Sequence, residues 1–378
     1  MQKVVLAFDS FKGSLSASEI TEGLMQTIRK QWPACEVCAF PVADGGEGTM
    51  EALACRLSVV RHSCRVHGPL QELVDASYVV TSDGTAIIEM AEANGLPLVP
   101  LERRNPMKTT TLGTGELIAD ALDKGCRKFV IGLGGSATND AATGVMHALG
   151  VRFFDEAGKE LTPIGENLEH IVRIDRRGMR SELSECTFVL ACDVTNPFYG
   201  RQGAAYVFAP QKGASEQQVE RLDRGLRNYA NCLQRELRQD IAHLPGAGAA
   251  GGMGGGMMAF LNAELKSGID IILDLTQFDE ALQGADVVLT GEGKIDAQTG
   301  MGKALNGILK RSQAARVPVV GIGGCIEEVE QLNQLGFTAL FSIQSGPVSL
   351  DTAMQKDYAL SCLNQTAVQL LRLLEVRK

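Results

Sequence analysis

Five short segments of the sequence combine a carboxylate with glycines in a way that suits a phosphorylated ligand. The most informative is Gly132–Asp140, which reads Gly-Leu-Gly-Gly-Ser-Ala-Thr-Asn-Asp and follows an apolar run. A glycine turn after a strand offers free backbone N–H groups to anions, phosphates above all. Ser136, Thr138 or Asn139 could cap a helix after the turn. Asp140 could hold Mg²⁺ or orient a nucleophile.

The other four segments place an acid where an apolar run ends. They read Asp9-Ser-Phe-Lys-Gly-Ser-Leu-Ser16, Pro41-Val-Ala-Asp-Gly-Gly-Glu-Gly-Thr49, Ala191-Cys-Asp-Val-Thr-Asn-Pro197 and Leu289-Thr-Gly-Glu-Gly-Lys-Ile-Asp296. A single acid in such a place usually caps a helix or closes a turn. Five such segments in one chain favour phosphoryl transfer instead. That reaction needs carboxylates to hold Mg²⁺, backbone amides and lysines around the phosphates, and an acid that accepts the proton of the attacking hydroxyl.

Two residues in these segments have specific predicted roles. Asp193 ends the apolar strand Phe188–Ala191, and a strand end holds an acid more firmly than a mobile loop does. We predict that Asp193 is the general base, with metal ligation as the second interpretation. Lys12 lies beside Gly13, and we predict that its ammonium contacts either the substrate carboxylate or a transferred phosphate. An ordinary surface lysine is the alternative.

The motifs of several common enzyme classes are absent from the sequence. It contains no Gly-x-x-x-x-Gly-Lys-Ser/Thr loop, no protein-kinase signature, no Gly-x-Ser-x-Gly and no His-Glu-x-x-His. Gly246–Gly251 matches Gly-x-Gly-x-x-Gly, but it follows Pro245 rather than a strand, so we interpret the match as chance. These absences argue against a P-loop enzyme and a nicotinamide dehydrogenase.

Apolar runs that alternate with helix-like segments must position the acidic loops. This alternation is typical of parallel sheets covered on both faces, whose ligands bind beyond the carboxyl ends of the strands. Antiparallel strands are predicted around Asp75–Thr81 and Thr85–Met90, and a hairpin over Arg152–Leu161. The glycine-rich run Gly246–Gly256 predicts a close approach of the backbone to a ligand or a packed helix.

Composition narrows the class of protein. The chain has 378 residues, enough for two domains, and a net charge of −9, which argues against nucleic-acid binding. No apolar run approaches the ~20 residues that cross a membrane. The ten cysteines have no framework spacing, so we expect buried, reduced thiols and a cytoplasmic protein.

The ordered set of motifs resembles one family, the type I glycerate kinases of bacteria, which phosphorylate D-glycerate with ATP. The resemblance covers nearly the whole chain. Besides the five acidic segments, it is carried by Gly113-Thr-Gly-Glu-Leu117, Gly203-Ala-Ala, Pro210-Gln-Lys-Gly-Ala214, Pro245-Gly-Ala-Gly-Ala-Ala-Gly-Gly252 and Glu264-Leu-Lys-Ser-Gly268.

The resemblance implies an α/β fold with two different α/β domains. One is a flavodoxin-like parallel sheet built from both chain ends, residues 1–65 plus 285–378, and the other is a mixed α/β domain inserted at residues 66–284. The active site is then expected in a cleft between the domains, which closes to exclude water.

From this resemblance we expect ATP and Mg²⁺ as cofactors, glycerate as the substrate, and 2-phosphoglycerate rather than 3-phosphoglycerate as the product. The expected catalytic residues are Asp193, Lys12 and Asp140, and the metal ligands Asp193 and Asp296. The expected substrate-binding residues are Asp9, Ser10, Asp44, Gly45 and Lys294. The expected nucleotide-binding residues are Gly134, Gly135, Ser136, Ala137, Thr138, Asn139, Gly291, Glu292 and Gly293.

The chain departs from the family pattern at a few positions. Ala141 and Ala142 stand where the family usually has two glycines, and Lys294 stands where it often has Arg. Lysine keeps the positive charge but lacks the planar guanidinium group, which can donate two parallel hydrogen bonds to a carboxylate. A kinase for another small hydroxy acid and a non-catalytic carbohydrate-acid binding protein stay open as alternatives, and a homo-oligomer is compatible with the sequence.

Overall fold

The computed structural model describes residues 2–42, 57–296 and 303–376. They divide into two compact units, each with its own sheet. Of the described residues, the terminal unit consists of 2–42, 57, 267–296 and 303–376, and the central unit consists of 58–266. The predicted fold class, two different α/β domains of which one is built from both chain ends, is confirmed. The sequence-based domain boundaries at 65/66 and 284/285 stay a prediction.

The strands of the described residues are β1 (Lys3–Phe8), β2 (Glu36–Pro41), β3 (Val59–His67), β4 (Leu73–Thr81), β5 (Thr85–Glu89), β6 (Lys128–Gly132), β7 (Arg152–Phe154), β8 (Arg173–Asp175), β9 (Thr187–Ala191), β10 (Glu264–Lys266), β11 (Val287–Gly291), β12 (Lys294–Ile295), β13 (Val319–Gly323), β14 (Cys325–Ile326) and β15 (Ala339–Ser342).

The α-helices are α1 (Ala17–Gln31), α2 (Met90–Asn94), α3 (Leu112–Asp123), α4 (Thr143–Ala148), α5 (Ala204–Phe208), α6 (Glu216–Leu237), α7 (Ala249–Leu261), α8 (Gly268–Leu275), α9 (Phe278–Leu282), α10 (Lys303–Ala314), α11 (Val329–Leu335), α12 (Leu350–Ala353) and α13 (Lys356–Glu375). In the part of the chain described, none of them has the length and apolar character that a membrane crossing requires.

The sheet of the terminal unit is entirely parallel, with the strand order β2-β1-β11-β13-β15. Every residue of β11 and β13 is buried, as are all residues of β1 except Lys3. Continuous apolar strands of this kind require helices on both faces of the sheet. The order is the flavodoxin-like one, and its direction reverses between β1 and β11. Ligands of such sheets bind beyond the carboxyl ends of the strands at this reversal.

Helix α1 shows how the local sequence sets an element boundary. The Ser16 hydroxyl accepts a hydrogen bond from the Glu19 backbone, and the Glu19 carboxylate accepts one from the Ser16 N–H. This capping box fixes the start of the helix directly after the Asp9–Ser16 segment. The apolar stripe Ile20, Leu24 and Ile28 is buried in the core of the terminal unit.

The sheet of the central unit is mixed, with the strand order β10-β9-β6-β5-β4-β3. β3, β4 and β5 form an antiparallel meander, whereas β5, β6, β9 and β10 are parallel. The antiparallel strands predicted near residues 75–90 are therefore confirmed. β6 and β9 are neighbours in register, with Gly132 opposite Ala191, so the loops that follow them leave from adjacent strand ends.

The expected cap of the helix after the Gly132–Asp140 loop requires correction. Helix α4 starts at Thr143 with Ala142 as its N-cap and no side-chain cap, so Ser136, Thr138 and Asn139 do not cap it.

The predicted hairpin at residues 152–161 is confirmed. Phe154 and Glu160 form an antiparallel bridge, and the Leu161 N–H donates to the Phe153 carbonyl at 2.8 Å. β7 pairs in addition with β8, which the sequence did not predict.

The cysteines are less buried than predicted. All nine in the described residues are free thiols, but only four of them are buried, and Cys325 is exposed.

Candidate active site

The carboxyl ends of β1 and β11 bring one group of predicted site residues together in the terminal unit. The Asp9 backbone N–H donates to the Gly291 carbonyl at 3.0 Å, which ties the two strand ends together. The Ser10 N–H donates to Asp9 Oδ1 at 2.6 Å. Gly13 has a φ of +79°, which turns the chain back so that Phe11 pairs with Leu15. This turn places Lys12 at an exposed tip.

A cavity of about 620 Å³ opens at these strand ends. Five predicted site residues line it, namely Ser10, Lys12, Glu292, Gly293 and Lys294. Most of the remaining lining is apolar and comes from the segment after β15. Asp44 and Gly45, also predicted to bind substrate, lie outside the described residues.

The short ladder between β12 and β14 holds Lys294. Its ammonium is 3.2 Å from Asp296 and 3.0 Å from Glu327. Hydrogen bonds to Glu327 and then Asp296 raise the pKa of Lys294. To bind a substrate carboxylate, the Lys294 ammonium must either keep its ion pairs with Asp296 and Glu327 or give up one of them. Lys12, by contrast, makes no ion pair within the part of the chain described.

The second group of predicted residues lies in the central unit, in the loop after β6. Gly134 and Gly135 are exposed, whereas Ser136 to Asp140 are buried. Gly135 has a φ of +71°, and its carbonyl accepts a hydrogen bond from Leu96. The Ala137 N–H donates to the Asn94 carbonyl at 3.0 Å. These contacts fix the middle of the loop and leave its glycines accessible.

Asp140 is fully buried and anchors the end of this loop. Its Oδ2 accepts hydrogen bonds from the Thr111 N–H at 2.7 Å, the Thr111 hydroxyl at 2.9 Å and the Gly144 N–H at 3.1 Å. Burial raises the pKa of the Asp140 carboxyl to about 6, although these hydrogen bonds act in the opposite direction. One carboxylate oxygen thus has a structural role, and Oδ1 has no partner among the described residues.

Lys212 is a site residue that the sequence analysis did not assign. It is buried, and its Nζ donates to the Ser136 hydroxyl at 2.8 Å and to the Thr138 carbonyl at 2.6 Å. Burial lowers the pKa of Lys212 to about 7, while the charge of Asp140 opposes the shift. The signal available in the sequence was its place in Pro210-Gln-Lys-Gly-Ala214, a motif without any assigned role.

Several buried polar atoms of the loop have no hydrogen-bond partner among the described residues. They are Thr138 Oγ1, both amide atoms of Asn139, and Asp140 Oδ1. Each unsatisfied buried group costs about 1–3 kcal/mol, and native proteins contain few of them. Their concentration in three consecutive residues indicates that this loop is built to receive polar groups from a ligand or from water.

The glycine-rich segment packs its backbone against the same loop. A Cβ at Gly251 would lie 2.1 Å from the Thr138 carbonyl oxygen, and one at Gly256 would lie 2.2 Å from that of Ala141. The Ala141 N–H donates to the Gly251 carbonyl at 3.2 Å. The predicted close approach is confirmed, and the partner is a packed loop. Ala141 and Ala142 have φ values of +51° and +64°, a region that favours glycine.

Comparison with known proteins decides the family. The sequence profile described as the glycerate kinase family matches residues 4–375. A glycerate kinase of Bacillus cereus is 46% identical over 93% of each chain, and a glycerate 2-kinase of Escherichia coli is 44% identical over 95% of each. A crystal structure from Salmonella typhimurium LT2, described as glycerate kinase 2, superposes with a TM-score of 0.89 at 42% identity, over 99% of this chain and 98% of that one.

The chain belongs to the glycerate kinase family. It is therefore an enzyme that transfers a phosphoryl group to an alcohol. The resemblance stated from the motifs is confirmed, and the P-loop and dehydrogenase classes stay excluded.

Two acids of this glycerate kinase family member remain to be placed. Asp193 is half-buried, two residues after the end of β9, and so lies at the same edge of the central sheet as the Gly132–Asp140 loop. Asp296 belongs to the terminal unit. Across residues 2–42, 57–296 and 303–376, no three His, Cys, Asp or Glu side chains gather in a way that could hold a metal ion.

Proposed function

We propose that this enzyme transfers the γ-phosphoryl group of ATP to the C2 hydroxyl of D-glycerate. The observation that carries the proposal is the 44% identity over 95% of each chain to the relative named glycerate 2-kinase. The glycine loop after β6 and the acids at the strand ends supply the residue types that phosphoryl transfer requires.

In the central unit, we assign the phosphates of ATP to the loop of Gly134, Gly135, Ser136, Ala137, Thr138 and Asn139. Its accessible glycines offer backbone N–H groups, and Lys212 and Asp140 hold its shape. Asp140 Oδ1, which lacks a described partner, is left for a polar group of the bound substrates.

In the terminal unit, Asp9, Ser10 and Lys294 are assigned to glycerate, together with Asp44 and Gly45. Gly291, Glu292 and Gly293 are assigned to the nucleotide, because they follow β11 at the reversal of strand order. Lys12 is assigned to the glycerate carboxylate or to the transferred phosphoryl, since its exposed ammonium has no described counter-ion.

Asp193 is the proposed general base. Its carboxylate accepts the proton of the C2 hydroxyl while that oxygen attacks the γ-phosphorus and ADP leaves. Backbone N–H groups of the glycine loop and the Lys12 ammonium stabilise the charge on the transferred group.

Mg²⁺ is the proposed metal, with Asp296 as its first protein ligand; ligation of the ion by Asp193 is the alternative to the role of Asp193 as the base. Their oxygen donors fit a hard cation, and Mg²⁺ at a triphosphate usually needs only one or two carboxylates because the phosphates and waters complete its coordination. When bound, the ion neutralises charge on the phosphates. The free thiols of the described cysteines support a reducing compartment, so we place the enzyme in the cytoplasm.

The test is the structure of the product. Purified enzyme is incubated with ATP, Mg²⁺ and D-glycerate labelled with ¹³C, and the product is examined by ¹³C and ³¹P NMR. Phosphorus coupling that identifies a C2 phosphate ester is the expected result, and 3-phosphoglycerate would contradict the regiochemistry. Parallel assays with tartronate and lactate test the alternative of another hydroxy acid, which a preference for either would support.

A further inference from the structure

The cavity of the terminal unit is too large and too apolar for glycerate alone. Its volume is about 620 Å³, which is in the range of sites for drug-sized ligands. Glycerate is a three-carbon acid with oxygen on every carbon, so it has almost no apolar surface to bury. The cavity therefore fits a second, larger and partly apolar ligand.

The apolar wall of the cavity is contributed by two segments. Phe11 comes from the turn after β1, and Ile343, Pro347, Val348 and Met354 come from the chain between β15 and α13. An aromatic ring and aliphatic side chains in one cavity suit a flat heteroaromatic base, which gains both apolar burial and ring contact.

Part of the lining of the same cavity is polar. Ser10, Lys12, Glu292 and Lys294 lie there, on the loops that follow β1 and β11. Of these residues, Glu292 is already assigned to the nucleotide, and the exposed ammonium of Lys12 suits a phosphate group. Gln344 also lines the cavity, and its buried side-chain oxygen has no partner among the described residues. An amino group on the base would supply that missing donor.

We propose that this cavity holds the adenosine part of ATP, with the adenine ring against the apolar lining that Phe11, Val348 and Met354 provide. The ribose then lies toward Glu292 and Gly293, which are already assigned to the nucleotide. This inference rests on the proposed function, in which ATP is the phosphoryl donor. The inference adds a site for adenosine. It assigns to that site residues 343–354, a segment in which the sequence shows no nucleotide-binding motif.

The test uses a pair of matched substitutions in the full chain. Val348→Asp places a carboxylate in the wall beside the proposed base, and Val329→Asp is the control on α11, away from the cavity. The two valines are 42% and 46% exposed, so the cost of the substitution to folding should be similar. Calorimetric titration with ADP should show a dissociation constant raised at least tenfold for Val348→Asp and unchanged within twofold for Val329→Asp.

A cavity-filling variant provides a second measurement. Ala353 is half-buried and lines the cavity, so Ala353→Phe should also weaken ADP at least tenfold and raise the KM for ATP, while the KM for glycerate changes little. Circular dichroism and thermal unfolding establish that each variant is folded. A third measurement uses the unsubstituted enzyme alone. Addition of ADP should slow amide hydrogen exchange at residues 343–354.

The outcomes separate this inference from the proposed function. Folded variants that bind ADP as tightly as the unsubstituted enzyme, or an absence of protection at residues 343–354, would overturn the adenosine site. Failure of the unsubstituted enzyme to bind ADP would overturn it as well. If ADP binds as expected but glycerate does not stimulate ADP formation from ATP, the adenosine site stands and the proposed acceptor is wrong.

Discussion

Asp193 lies two residues after the end of β9, and we assign it as the base because a side chain next to a strand end is held in place. The neighbouring backbone is held by hydrogen bonds, including Cys192 N–H to the Lys266 carbonyl at 3.0 Å. Asp193→Asn keeps the shape of the side chain and removes its basicity. Steady-state kinetics should show kcat lowered roughly 10²–10⁴-fold, with ATP affinity near that of the unsubstituted enzyme. A loss of nucleotide and Mg²⁺ binding would reassign Asp193 to the metal, and an unchanged kcat would remove it from the chemistry.

Lys12 is the exposed cation at the tip of the turn after β1, and its contribution is expected in substrate binding. Lys12→Ala should lower kcat/KM at least tenfold, which corresponds to about 1.4 kcal/mol of transition-state binding. Lys30→Ala is the control, because Lys30 is equally exposed at the end of α1 and outside the cavity. Equal values of kcat/KM for the two folded variants would show that Lys12 is an ordinary surface lysine with no role in the reaction.

Lys212 should make the stability of the enzyme depend on pH. Its pKa is about 7 in the folded protein, against 10.5 ordinarily. Between these values the folded state has released a proton that the unfolded state still holds, so the free energy of unfolding rises with pH. Lys212→Met removes this group at similar size. Urea unfolding from pH 7 to 10 should show the stability of the unsubstituted enzyme rising relative to Lys212→Met, and parallel curves would contradict the burial of a titrating lysine.

Sequence alone located most of the candidate residues but not how they are held. The acids were found because each ends an apolar run, and that signal is local. Lys212 and Thr111 were missed because their roles depend on contacts with Ser136, Thr138 and Asp140, which are distant along the chain. Nothing local distinguishes a buried lysine in a turn from an exposed one.

At the scale of elements, the glycine-rich segment before and within α7 sets the position of the loop after β6. Gly251→Ala should destabilise the enzyme by roughly 2–5 kcal/mol, because the new methyl group overlaps the Thr138 carbonyl and the φ of +69° is unfavourable for alanine. Gly158→Ala is the matched control. Its φ is +74° and nothing lies within 4 Å of the new Cβ, so only the conformational cost, about 1 kcal/mol, should remain. Urea unfolding measures both, and equal losses would show that the close approach is unimportant.

The elements themselves were predictable where they have a strong pattern. The five strands of the terminal sheet are apolar runs, and α1 starts at a capping box. The three-residue strand β8 is too short to show any period, and β10, Glu-Leu-Lys, is too polar to suggest a strand. The start of α4 was missed because it depends on left-handed alanines that the loop's tertiary packing maintains.

At the scale of the whole molecule, the excess of negative charge implies a cation in the reaction. The chain carries a net charge of −9, and acids end several of its strands. These acids would repel a triphosphate unless a divalent ion intervened. Excess EDTA should abolish glycerate-dependent ADP formation, and added Mg²⁺ or Mn²⁺ should restore it. Full turnover in EDTA would refute the requirement.

The parallel sheet built from both chain ends has a consequence for biosynthesis. β1 pairs with β11, which begins at Val287, so an apolar N-terminal strand emerges from the ribosome long before its second neighbour is translated. The central unit is nearly continuous in sequence and can fold during that interval, which lasts roughly 15–55 s at ordinary translation rates. The terminal sheet is therefore completed after the central unit: β1 is synthesised before the central unit but gains its neighbour β11 only after it. Until β11 has been synthesised, the hydrophobic strand β1 is exposed in the nascent chain, where chaperones can bind it.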